Sequence, residues 1–178
     1  CAAPGGKSAH LLERADLELV ALDVDGERLA RLESNLARLG LRAEIRQGDA
    51  GHPADWWDGR RFDRILLDAP CTGSGVIRRH PDGRWLKRPE DIQHLAGEQA
   101  RLLDALWPLL ARGGTLLYAT CSLFPEENRR QVESFLARHS DARRELLGAF
   151  AGLDWVEEGQ LLPTREHDGF FYARFVKT

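Results

Sequence analysis

The stretch LVALDVDGERLARLESNLARLG, residues 19–40, decides the fold class. Leu19 to Leu22 is a short apolar run ending at Asp23, the pattern of a buried strand. Asp25 stands where a helix cap is wanted. Leu29, Leu32, Leu36 and Leu39 follow at steps of three and four, which places them on one helical stripe. Gly40 ends the helix. The same alternation of strand and helix recurs along the chain. Arg42 to Arg46 reads as a strand ending near Asp49, and Phe62 to Leu67 as one ending at Asp68. Pro89, Glu90 and Asp91 open a helix running towards Leu106, with Pro108 kinking or closing it. Gly113–Gly114 turns the chain into a strand over Thr115 to Ala119. Pro125, Glu126 and Glu127 open another helix with Val132, Phe135 and Leu136 as its apolar face. Gly169 to Val176 reads as the last strand, with Phe170, Phe171, Tyr172 and Phe175 packing the sheet. Strands alternating with helices predict an α/β fold with a mostly parallel sheet. Such sheets bind ligands at the carboxyl ends of their strands. Asp23, Asp49, Asp68 and Cys121 each follow a predicted strand.

The chain has 178 residues, 43% hydrophobic and 30% charged, which excludes wholesale disorder. No apolar run approaches the ~20 residues of a membrane span, and no basic segment leads an apolar one as in a secretory signal. The three cysteines, Cys1, Cys71 and Cys121, lie far apart with no Cys-x-x-Cys pair. A disulfide scaffold or structural zinc is therefore not expected, and a reducing, cytoplasmic setting is. The six histidines show no metal-ligand spacing. Methionine is absent, even at position 1, so a piece of a longer protein is expected. The net charge of −3 argues against a globally basic coat, though not against a local basic patch.

Ala3 to Lys7 (APGGK) supplies two glycines and a proline where the chain turns sharply into a helix. Glycine lets the backbone approach a ligand and aim its N–H groups at it. A turn of this kind normally follows a strand, which should precede Cys1 and is missing from these residues. Asp23 ends the next strand, where a carboxylate can accept from ribose hydroxyls. Asp49 follows the third strand and is placed to accept from an adenine amino group. Together they suggest an adenosine-containing ligand. Neither the full G-x-G-x-x-G nor the G-x-x-x-x-G-K-[ST] pattern is present, so a purely structural turn is the competing reading.

DAPCTGSG (Asp68 to Gly75) follows one strand and TCS (Thr120 to Ser122) another. A lone cysteine is most simply a small buried hydrophobe. Two in strand-end loops, with Asp68 three residues before Cys71, suit one chemistry. Carbon 5 of cytosine is a poor nucleophile until a thiolate adds at carbon 6. A carboxylic acid near ring nitrogen 3 assists that addition, and a base later removes the proton from carbon 5.

CAAPGGK (Cys1 to Lys7), DAPCTGSG (Asp68 to Gly75) and ATCS (Ala119 to Ser122) resemble the signatures of the NOL1/NOP2/Sun family of RNA cytosine-5 methyltransferases. IRRHPDGRW (Ile77 to Trp85), PEEN (Pro125 to Asn128) and DGFFYA (Asp168 to Ala173) resemble its bacterial Sun/Fmu type, which methylates 16S ribosomal RNA. The resemblance implies a Rossmann-like sheet flanked by helices and S-adenosyl-L-methionine as cofactor. It implies that Cys1, Ala2, Ala3, Pro4, Gly5, Gly6 and Lys7 form the cofactor loop. Asp23 would bind the ribose, and Asp49 would lie near the adenine. Asp68 would sit between the methionine end and the base. Cys121 would be the nucleophile and Cys71 would assist product release. A tRNA or another rRNA site is the alternative substrate, and a non-catalytic RNA-binding or ribosome-assembly domain the alternative class. Full-length relatives carry an N-terminal RNA-binding domain, so residues 1–178 are expected to be the catalytic domain alone.

The segment from Arg78 to Arg88 carries Arg78, Arg79, Arg84, Lys87 and Arg88 against Asp82. His80 and Trp85 add stacking surfaces. Directly after the Cys71 motif, this segment is a candidate RNA contact, with a solvated basic loop as the plain alternative.

Overall fold

A computed structural model describes residues 1–147 and 159–178, apart from the side chains of Arg84 and Leu86. The chain divides into two compact units, Cys1–Gly59 and Arg60–Thr178.

The first unit opens with helix α1 (Gly6–Arg14), followed by β1 (Val20–Asp23), α2 (Gly26–Arg38) and β2 (Glu44–Gln47). β1 and β2 pair in parallel, Val20 opposite Glu44 and Asp23 opposite Gln47, with α2 as the crossover. Asp25 caps α2, its carboxylate accepting from the Glu27 and Arg28 N–H groups at 2.9 and 3.1 Å. Leu29, Leu32 and Leu36 are buried with Ala3, Ala9 and Ala21. Leu39 does not continue the predicted stripe: α2 ends at Arg38, so Leu39 turns outward and is exposed.

The second unit holds β3 (Phe62–Asp68), the short α3 (Gly83–Leu86), α4 (Pro89–Leu106), β4 (Leu110–Thr120) and α5 (Arg129–Arg138). β5 (Ala142–Glu145), β6 (Gln160–Leu161) and β7 (Phe170–Lys177) complete it. The strand order is β3-β4-β7-β5, and β6 pairs with β7. β3 and β4 are parallel, with Asp68 opposite Ala119. β7 runs antiparallel to β4, β5 and β6, so antiparallel pairings outnumber parallel ones among the described residues. The mostly parallel sheet predicted from strand–helix alternation is corrected there, because β7 returns from β6 without a crossover helix. The architecture is nonetheless α/β and Rossmann-like, sheet strands flanked by helices.

Two predicted boundaries move. β4 starts at Leu110, and Gly113–Gly114 forms an irregularity inside it, where the register with β3 slips. A Cβ at Gly114 would lie 2.8 Å from the Ala111 carbonyl oxygen and 2.9 Å from that of Asp63, so the bulge needs glycine. Helix α5 starts at Arg129 and not at Pro125, because Glu127 and Asn128 turn their side chains inward. Leu102, Leu103 and Leu106 of α4 and Val132 and Phe135 of α5 are buried, as are Leu116 and Tyr118 of β4 and Phe171 and Phe175 of β7. Phe135 stacks edge-on to Trp107 at 5.2 Å and lies 4.7 Å from Phe175. Alternate β7 residues are buried, as a two-residue period requires. No described helix is long and apolar enough to cross a membrane.

Candidate active site

In the first unit, residues 1–7 run past the end of β1 into α1. Gly5 has φ +104°, and a Cβ there would come within 3.2 Å of the Leu32 side chain. The positive φ favours glycine, and a larger residue would also have to shift the Leu32 side chain by a few tenths of an ångström. No side chain caps the first turn of α1. The Ala2 N–H donates to the Leu22 carbonyl at 3.1 Å. Arg28 donates to the Ala3 carbonyl at 2.7 Å and Asn35 to that of Pro4 at 3.0 Å.

Asp23 lies beneath this loop, 1% exposed. Its carboxylate accepts from the Ala3 N–H at 3.1 Å and the Asp25 N–H at 3.2 Å. Burial opposes its ionisation, yet these N–H groups and nearby positive charge, including Arg28, prevail and hold the carboxyl below its ordinary value. Asp23 thus organises the loop as well as ending the strand. Asp49 follows β2 and accepts from the Gly51 N–H at 2.7 Å and contacts His52 Nδ1 at 2.9 Å. The Trp56 indole donates to the Asp49 carbonyl at 2.8 Å, which fixes the backbone of Asp49 after β2. The Gly48 N–H donates to the Asp23 carbonyl at 3.0 Å, tying the two strand ends together.

Asp23→Ala removes an acceptor under the loop and leaves the Ala3 N–H buried without its partner. Affinity for S-adenosyl-L-methionine is expected to fall by about 1–3 kcal/mol. Calorimetry on the full-length protein tests this, and unchanged affinity would remove Asp23 from the site.

In the second unit, Asp68 ends β3, Cys71 lies three residues beyond it, and Cys121 directly follows β4. Because β3 and β4 are neighbours, the two loops converge, and the sulfur atoms of Cys71 and Cys121 lie 3.4 Å apart. Both are free thiols. The Gly75 N–H donates to the Cys121 carbonyl at 2.8 Å. The hydrogen bond from Cys71 favours the Cys121 thiolate. Burial and the charge of Asp68 oppose it, while the Cys121 N–H and Lys87 assist. The net effect lowers the Cys121 thiol below its ordinary value. That same hydrogen bond, then burial, pushes the Cys71 thiol far up. The contact thus favours ionisation of one thiol and disfavours that of the other.

The residues that hold these loops were not assigned roles from the sequence. Glu127 is fully buried. Its carboxylate accepts from the Thr72 N–H at 2.9 Å, the Thr72 hydroxyl at 2.6 Å, Gln99 Nε2 at 3.0 Å and the Ser122 hydroxyl. Gln99 also donates to the Pro70 carbonyl at 2.9 Å. Asn128 accepts from the Thr120 hydroxyl at 2.7 Å and donates to the Ser122 carbonyl at 2.8 Å. The one signal in the sequence was PEEN itself, a family-like motif with two acids shortly after the second cysteine.

The basic segment, read as a candidate RNA contact, has two of its arginines in ion pairs. Arg78 and Arg79 both donate to the carboxylate of Asp168, which is 4% exposed, and Arg78 also donates to the Thr164 carbonyl. Burial opposes ionisation of Asp168, but the two guanidinium groups hold its carboxyl below the ordinary value. The cause is a partner 89 and 90 residues away, invisible to local charge counting. His80, Lys87 and Arg88 are exposed, and Trp85 is 89% exposed. The Arg88 N–H is taken by Asp91, which caps α4. The side chain of Arg84 lies outside the described residues.

The family model described as 16S rRNA methyltransferase RsmB/F matches residues 1–176. The ribosomal RNA small subunit methyltransferase B of Salmonella arizonae is 52% identical over 99% of this chain, which spans 41% of that relative's length. A methyltransferase homologue from Pyrococcus horikoshii superposes with a TM-score of 0.80 at 38% identity, over 99% of this chain and 59% of the other. NSun6 from the same organism, solved with SFG, gives 0.85 at 34% identity, over 99% and 46%.

Proposed function

This chain belongs to the RsmB/F family of 16S rRNA methyltransferases, and on that premise we propose that it transfers a methyl group to carbon 5 of a cytosine in 16S ribosomal RNA. The 178 residues are read as the catalytic domain of a longer cytoplasmic protein whose RNA-binding domain lies outside them. The observation that carries this reading is the 3.4 Å contact between Cys71 and Cys121 at the ends of two adjacent parallel strands.

Residues Cys1 to Lys7, with Asp23 beneath them and Asp49 after β2, would hold S-adenosyl-L-methionine. The tight, glycine-dependent turn at Gly5 and the uncapped start of α1 fit a ligand approached by backbone. When bound, that cofactor supplies an electrophilic methyl group. The Cys121 thiolate adds to carbon 6 while Asp68, having taken up a proton from solvent as the base binds, gives that proton to ring nitrogen 3, which makes carbon 5 nucleophilic. While Cys121 is anionic, Cys71 keeps its proton, because its hydrogen bond is spent on that sulfur. Once Cys121 is bonded to carbon, that acceptor charge is gone, so Cys71 can lose its proton to water and, as a thiolate, take the carbon 5 proton after that carbon has gained the methyl group. Ring nitrogen 3 returns its proton to Asp68 as the bond from Cys121 to carbon 6 breaks, which frees Cys121 as a thiolate.

Incubating the full-length protein with unmethylated small-subunit RNA and radiolabelled cofactor tests the assignment. Label at carbon 5 of cytosine is the expected result, and label elsewhere or none overturns it. RNA contact is assigned to Arg79, His80, Lys87 and Arg88, with Arg78 chiefly an anchor through Asp168 and Thr164. Replacing Arg79, Lys87 and Arg88 together by Ala should reduce the salt slope of RNA binding by about 2–3. Filter binding over a range of salt measures it, and an unchanged slope assigns the segment to another task.

A further inference from the structure

Thr72 directly follows Cys71, and Ser122 directly follows Cys121. These two residues meet on one buried side chain. Glu127 takes the N–H and hydroxyl of Thr72 on its two carboxylate oxygens and the hydroxyl of Ser122 on one of them. Thr72 and Ser122 are themselves 3.3 Å apart at their hydroxyls, and Gln99 completes the carboxylate's partners while gripping the Pro70 carbonyl on the other side of Cys71. All four named donors are uncharged, so this carboxylate is held by geometry and not by a cation. Such a group is costly to bury and is tolerated only with its acceptor sites filled.

We infer that Glu127 is a positioning residue, whose carboxylate clamps the two cysteine loops so that the Cys71 thiol stays in hydrogen-bond contact with Cys121. The inference rests on the methyl-transfer reading only for its purpose, not for its geometry. The carboxylate acts through the residue after each thiol. Without it, the loops lose their shared acceptor and the sulfur contact has less to hold it. Besides Cys71, the charged groups bearing on Cys121 are Asp68 at the end of β3, which opposes its ionisation, and Lys87 beyond α3, which favours it.

The test needs no RNA and no cofactor. In the full chain, the rate of Cys121 alkylation by iodoacetamide is followed against pH, and bridging of Cys71 to Cys121 by dibromobimane is followed by fluorescence. Wild type should show an alkylation midpoint below the ordinary thiol range and rapid bridging. Glu127→Ala should move the midpoint upward, slow alkylation at pH 7 by about tenfold, and abolish rapid bridging. Glu127→Gln should restore both to within about twofold, because a carboxamide oxygen can accept the two N–H groups while its NH2 donates to the two hydroxyls. If Glu127→Ala does not fold, the double variant Thr72→Val, Ser122→Ala decides, with the same upward shift expected. A folded Glu127→Ala with wild-type midpoint and bridging overturns the inference. So does Glu127→Gln impaired as severely as Glu127→Ala, since charge and not placement would then matter. Those outcomes leave methyl transfer untouched, and failed methyl transfer leaves this inference standing.

Discussion

Cys121→Ala should reduce methyl transfer to background, a loss of about 10⁴-fold or more, whereas Cys71→Ala should still form a bond to RNA and then fail to release it. The two thiols are in contact, and their hydrogen bond lowers the Cys121 thiol while raising that of Cys71. Removing the nucleophile blocks entry to the covalent intermediate. Removing its neighbour blocks exit, so a protein–RNA adduct should accumulate and survive denaturing electrophoresis. Cys71→Ala also removes the hydrogen bond that favours the Cys121 thiolate, so adduct formation should be slower at pH 7 and recover as pH rises towards the ordinary thiol range. An adduct that forms with Cys121→Ala and is absent with Cys71→Ala would reverse the assignment.

Asp68→Asn should lower both adduct and product by about 10²–10⁴-fold, because an amide has no acidic proton to give at ring nitrogen 3. The same substitution should act in the opposite direction on the bare thiol. The charge of Asp68 opposes ionisation of Cys121, so its removal should lower the Cys121 thiol further and speed alkylation between pH 6 and 7. A variant that alkylates faster and methylates far more slowly isolates the proton-donor role from any loss of the nucleophile. If both rates fell together, Asp68 would be supporting the loop and not the reaction.

Several residues show how far a linear reading reaches. Asp23 and Asp68 were legible as strand-end residues because each closes a short apolar run, and period and termination are properties of a few neighbouring residues. Leu29, Leu32 and Leu36 were legible for the same reason. Leu39 was not, because the helix ends one residue before it. The turn at Pro125–Asn128 read as a helix start from its proline and acids. Burial of Glu127 and Asn128 against Thr72, Thr120 and Ser122 overrides that local preference. The pairing of Arg78 and Arg79 with Asp168 was not legible, because Asp168 is far along the chain.

Local periodicity, caps and strand ends, together with two cysteine motifs in family order, were enough to determine an α/β methyltransferase-like chain and the residues at its strand termini. The sequence by itself could not say that Cys71 and Cys121 touch, or that one buried carboxylate joins their loops. Those depend on β3 and β4 lying side by side, which brings together side chains 50 and 55 residues apart. Local pattern reports how a segment meets water or core. Hydrogen-bond partners and thiol ionisation are set by whichever distant groups the sheet makes neighbours.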